Sequence, residues 1–134
     1  MEERQERAVA LHNKGYNCAQ AVVCAYCDLF GLDEQTAYKM AEGFGLGMGV
    51  MEVCGALTGG FMLAGAKCSA GTDAPGTTKG KTYQVTRAMW QEFAAQNGTV
   101  YCRELKGVQT GTVLRPCPDC IRDGCALVEK MLLK

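Results

Sequence analysis

The sequence is short of histidine, of proline and of any surplus charge. His12 is its one imidazole, there are 3 prolines, and 14 Lys and Arg offset 14 Asp and Glu to a formal net charge of zero. A nucleic-acid binder normally carries a basic excess or stripe, so nucleic acid is set aside. The same balance removes any strong pull toward an anionic membrane surface. With a single histidine, mixed Cys/His metal sites are nearly excluded, and any metal site must be built from thiolates. Long apolar runs are missing as well. Val53 to Ala66 is uncharged but glycine-rich, and it falls short of the roughly 20 apolar residues that a membrane span requires. The N-terminal MEERQERAVALHNKG is charged and carries no secretory-signal pattern. The expectation is a cytoplasmic protein without membrane insertion.

Cysteine is what the sequence has in excess. Nine of the 134 residues are cysteine, and 48% of the chain is apolar. That length suits one domain, residues 1–134, with a core large enough to fold without disulfide staples. An odd count forbids complete internal pairing. Metal binding, thiol chemistry and burial are therefore the readings to separate.

The pattern is helical throughout, with no convincing alternating strand. It predicts helices over Glu2–Lys14, Cys18–Phe30 after the cap Asn17, a third from the cap Asp33 to near Gly43–Gly45, then Val53–Ser69, Lys81–Gln96 and Pro118–Leu133. A short turn follows Cys102, and residues 70–80 form a loop. Gly45-Leu46-Gly47-Met48-Gly49 is too glycine-rich for a helix interior and has neither the order nor the preceding strand of a dinucleotide motif. It reads as a flexible loop that shapes the approach to Cys54. Gly55, Ala56, Gly59, Gly60 and Ala64 put small residues at four-residue spacing, which points to close helix packing within the chain or across a homodimer. The fold class is all-α, a compact bundle of five or six helices.

Cys18, Cys54, Cys102 and Cys117 each fall at or near a predicted helix start. Unpaired N–H groups and a partial positive charge there favour thiolate over thiol. Cys117-Pro118-Asp119-Cys120 is a CxxC at a helix start, although the βαβ context of a thioredoxin-like domain is absent. Cys24 and Cys27 form a second CxxC, but inside a helix and opposite Cys18, where packing or surface is the plainer reading. Cys68 and Cys125 read as small buried hydrophobes. His12 reads as surface or packing, Met48, Met51 and Met62 as core, and Trp90 as a core anchor.

The segments YNCAQAV, GFGLGMGVMEVCGALTGG and YCREL, followed by a cysteine ahead of an apolar C-terminal helix, resemble the C_GCAxxG_C_C family of redox-active proteins over about residues 16–133. The CGAxxG core is intact from Cys54 to Gly59. The resemblance implies a redox role carried by Cys18, Cys54, Cys102 and either Cys117 or Cys120. Five further cysteines depart from the minimal pattern and leave room for a larger site.

Three classes of function follow. In the first, an oxidoreductase-like protein, a nucleophile (Cys54 or Cys117) attacks the disulfide of a partner protein or a small thiol/disulfide, and a second cysteine resolves it. In the second, Cys18, Cys54, Cys102 and Cys117 hold an iron–sulfur cluster, with Gly55 and Gly59 letting backbone N–H groups approach it; four-thiolate zinc is the structural variant. In the third, the protein is a helical interaction module whose cysteines are packing residues.

Overall fold

The computed structural model describes residues 2–133. Seven α-helices are present among them: α1 (Glu2–Lys14), α2 (Cys18–Tyr26), α3 (Glu34–Ala41), α4 (Gly55–Cys68), α5 (Lys79–Asn97), α6 (Cys102–Lys106) and α7 (Cys117–Leu132). The expected five or six is one too few, because the turn after Cys102 winds into α6. An isolated antiparallel bridge joins Val53 to Tyr101, and no helix among the described residues is long and apolar enough to cross a membrane.

Helices α2 and α4 form the central pair. α7 packs on both, α1 packs on α2 and α7, α3 covers α2, and α5 covers α4. Every residue of α2 from Ala19 to Tyr26 is buried. Asn17 sets its start through a reciprocal capping box. The Asn17 side chain accepts from the Gln20 N–H at 2.9 Å, and the Gln20 side chain accepts from the Asn17 N–H at 2.9 Å. A 3₁₀ turn over Cys27–Phe30 ends the segment at Gly31, whose φ of +70° suits glycine.

The small residues of α4 are spent inside the chain. A methyl group on Gly59 would stand 2.8 Å from the Ala19 carbonyl oxygen of α2. On Gly55 it would lie 3.1 Å from the Ala19 nitrogen and 3.2 Å from Cys18 Cβ. Gly124 of α7 meets α4 in the same way, with the added carbon 2.6 Å from the Ala56 oxygen. Three consecutive contacts therefore bring the starts of α2 and α4, and the first turns of α7, closer than any side chain would permit.

The segment from Gly45 to Met51 is an irregular loop with a defined course. Gly47–Met51 makes a wide, kinked turn with non-helical backbone at Met48 and Gly49, closed by the Glu52 N–H donating to the Gly47 carbonyl at 3.1 Å. Leu46, Met48 and Met51 hold φ values of 53°, 61° and 58°. Left-handed backbone in three non-glycine residues costs energy and persists only where surrounding contacts fix it. Arg103 of α6 supplies some of them, donating to the Met51 and Val50 carbonyls and pairing with Glu52 at 2.8 Å.

Burial corrects several single-residue expectations. Met48 is exposed, Met51 and Met62 are half-buried, and Trp90 is half-buried with its ring edge-on to Tyr101. Cys68 is half-buried because α4 runs past its cover at that end, leaving Ala66 and Lys67 exposed. Cys125 is fully buried, as are Cys24 and, nearly so, Cys27.

Gly59→Ala and Gly124→Ala are expected to destabilise the protein by about 1–3 kcal/mol through overpacking against backbone. Gly65→Ala, on the same α4 but with nothing within 4 Å of the added carbon, is expected to gain up to about 1 kcal/mol from helix propensity. Denaturant midpoints of the three variants check the contrast.

Candidate functional site

Five cysteines line one cavity of about 150 Å³: Cys18, Cys54, Cys102, Cys117 and Cys120. Each arrives from a helix start. Cys18 is the first residue of α2, Cys54 is the N-cap of α4, Cys102 opens α6, and Cys117 and Cys120 lie in the first turn of α7. The close approach at Gly55 seats Cys18 beside the start of α4, and that at Gly124 carries the first turn of α7 onto it. The Val53–Tyr101 bridge fixes the rest: the Cys54 N–H donates to the Val100 carbonyl at 2.8 Å and the Cys102 N–H to the Glu52 carbonyl at 2.6 Å.

The two sulfurs of the CxxC answer to different helices: the largest influence on Cys117 is Cys18 of α2, and on Cys120 it is Cys54 of α4. Within each couple the two thiols are shifted apart. Cys117 is held down to about 6, chiefly by its interaction with Cys18. Burial opposes the shift, and the charges of Lys106 and His12 assist it. Cys18 is driven up, first by its interaction with Cys117 and then by burial.

In the second couple Cys54 is lowered by its interaction with Cys120, against burial and with help from the N–H groups of Ala56 and Leu57 at the start of α4. Cys120 is raised by that interaction and by burial. Its thiol donates to the Arg115 carbonyl oxygen, 3.6 Å away. Cys102 stands apart, raised mainly by burial and by the neighbouring charge of Cys54.

Sequence reasoning missed the cationic wall of this cavity. His12, Lys106 and Arg115 all line it. The expectation that His12 is a surface or packing residue is corrected, because the last turn of α1 passes over the start of α2. His12 Nδ1 lies 2.9 Å from the Tyr16 carbonyl. A carbonyl only accepts, so Nδ1 carries the hydrogen. Arg115 clamps the buried Asp123 with two bonds of 3.0 and 2.9 Å, which pins the chain just ahead of Cys117. No sequence spacing signals His12 or Arg115. Lys106, four residues after Cys102, could have been found by placing it on the same helix.

The other predicted positions separate cleanly. Gly55 lines the cavity, whereas Gly59 faces Ala19 of α2 and has no open side for a cofactor. Cys24 and Cys27 lie outside the cavity; their thiols point at the carbonyls of Glu34 and Cys24, at 3.9 and 3.4 Å. Burial raises Cys24 and Cys125 to about 12, which leaves both inert as thiols. Among the described residues no three Cys, His, Asp or Glu side chains are grouped to hold a metal ion. A tetrahedral zinc site needs four ligands at about 2–2.3 Å from one point, and the five sulfurs line the cavity without converging in that way.

Residues 16–131 match the family described as "Putative redox-active protein (C_GCAxxG_C_C)". The chain belongs to this family. No curated protein and no solved structure matches it. The family's first three cysteines, at Cys18, Cys54 and Cys102, share the cavity with both candidates for the fourth, Cys117 and Cys120. The cavity thus holds one cysteine more than the signature.

Alkylation of Cys117 by iodoacetamide should rise with pH through a midpoint near 6 and be nearly complete at neutral pH, since only the thiolate reacts. Cys18→Ala removes the neighbour that contributes most. The midpoint should then move up toward the free-thiol range near 8.5, read by peptide mass spectrometry after timed labelling.

Proposed function

We propose that this protein is a cytoplasmic thiol–disulfide oxidoreductase working through two cross-helix dithiols, Cys18 with Cys117 and Cys54 with Cys120. The observation that carries the reading is the gathering of five cysteines from four helix starts around one cavity, with Cys117 and Cys54 held toward the thiolate and Cys18 and Cys120 pushed toward the thiol. Disulfide exchange requires that pairing of a thiolate to attack with a neighbour to resolve.

Cys117 is the nucleophile. It is half-exposed, whereas Cys54 is buried, and its charge is the better supported. Its thiolate attacks a partner disulfide, forming a mixed disulfide and expelling one partner thiolate. The Cys18 proton passes to that leaving sulfur. The resulting Cys18 thiolate attacks Cys117 Sγ, closes an internal disulfide and releases the second partner thiolate. The partner disulfide is reduced by two electrons, and the Cys18–Cys117 pair is oxidised by two. The reverse direction oxidises a partner dithiol.

Nine unpaired thiols in one chain suit a reducing compartment. The buried Cys54–Cys120 couple shares the cavity and supplies a second two-electron store.

Stepwise oxidation in a thiol/disulfide buffer tests the proposal. The wild type should lose thiols in two pairs, with two potentials. Cys117→Ser should lose one pair only and forfeit at least about a hundredfold of the exchange rate, while its helical circular dichroism stays intact. Equal rates in that variant would remove Cys117 from the reaction. Near-stoichiometric iron and acid-labile sulfide in protein purified without oxygen would make these cysteines cluster ligands and overturn the reading.

A further inference from the structure

The cavity that gathers the cysteines has cationic groups on its wall and no acidic ones. Its polar lining side chains are His12, Asn17, Lys106 and Arg115. The acidic residues closest in sequence each have a partner: Glu52 pairs with Arg103, Glu104 accepts from the Thr99 hydroxyl, Asp119 pairs with Arg122, and Asp123 pairs with Arg115. Arg115 has committed Nε and Nη2 to Asp123. Lys106, exposed at the end of α6, pairs with no carboxylate among the described residues. An uncommitted ammonium therefore stands at a cavity whose remaining lining is largely apolar.

Size limits what can enter. A cavity of about 150 Å³ holds a ligand on the scale of a benzene ring, which is one arm of a small disulfide and not a folded domain.

We propose that the substrate is a small disulfide, or the corresponding thiol, whose arms end in carboxylates, with Lys106 holding the anionic end while the sulfur lies against Cys117. The proposal rests on the thiol–disulfide reading above and names its substrate class. Its chemistry is the exchange already balanced: one substrate S–S bond breaks, two substrate thiols leave, and the Cys18–Cys117 bond forms.

The argument has a built-in contrast. A bare thiolate repels a carboxylate and attracts an ammonium, so an isolated reactive cysteine would favour cationic disulfides. A preference for the anionic one has to come from the surrounding cations.

The test mixes reduced protein at low salt with three disulfides of similar length: dithiodipropionate, hydroxyethyl disulfide and cystamine. Rates of thiol loss and formation of the internal disulfide are read by mass spectrometry. Dithiodipropionate should react about tenfold faster than cystamine, and the ratio should shrink as salt rises. Lys106→Gln should collapse the ratio, whatever it does to the absolute rates; the side chain is exposed, and circular dichroism confirms the fold. Equal rates, a preference for cystamine, or an unchanged ratio in Lys106→Gln would overturn the anion site while the internal disulfide still forms and the thiol reading stands. If none of the three disulfides consumes thiols, both fall together.

Discussion

Everything at the site depends on how closely α2 can lie against α4. The two helices meet where Gly55 and Gly59 present bare backbone to Ala19 and Cys18. Any side chain there would push the helix starts apart, and the couples they carry would separate with them. Gly124 repeats the contact between α7 and Ala56. The CGAxxG segment is thus a spacing device. Its cysteine is chemical, and its glycines and alanine set the distance over which that cysteine meets sulfurs from two other helices. Glycine in a helix interior costs about 1 kcal/mol against alanine, and the packing of a fully buried α2 offsets that cost here.

Once the starts are together, electrostatics divides the sulfurs. Four thiolates in one small cavity would repel each other strongly. Interaction within each couple, burial and repulsion push Cys18 and Cys120 toward the thiol form. Their partners Cys117 and Cys54 are held lower, with smaller contributions from Lys106 and His12 in one couple and from the N–H groups at the start of α4 in the other. The Arg115–Asp123 clamp and the Arg103 contacts to residues 50–52 hold the two segments that frame the opening. They are positional rather than chemical. The strained Leu46 and Met48 backbone marks the same rim.

Much of this was legible in the sequence, for physical reasons. Helix starts are announced by caps, so Asn17 placed Cys18 correctly, and Pro118 did the same for Cys117. Small residues at four-residue spacing announced close packing, although not which helix would fill the groove. The couples were not legible. CPDC suggests a bond between Cys117 and Cys120, and only the three-dimensional arrangement brings Cys18 of α2 and Cys54 of α4 to the same cavity as both. His12 was invisible for a related reason: its role comes from α1 crossing over α2, which no local pattern encodes. Gly45–Gly49 read as a flexible loop; what fixes the course of the segment is Arg103, about fifty residues away, which bonds the Val50 and Met51 carbonyls.

The most direct test of cross-helix coupling is to oxidise the reduced protein mildly, block the remaining thiols, and map the disulfides by peptide mass spectrometry. The account predicts bonds from Cys18 to Cys117 and from Cys54 to Cys120, with Cys102 left free. A dominant Cys117–Cys120 bond would contradict it and return the site to an ordinary CxxC on a helix start.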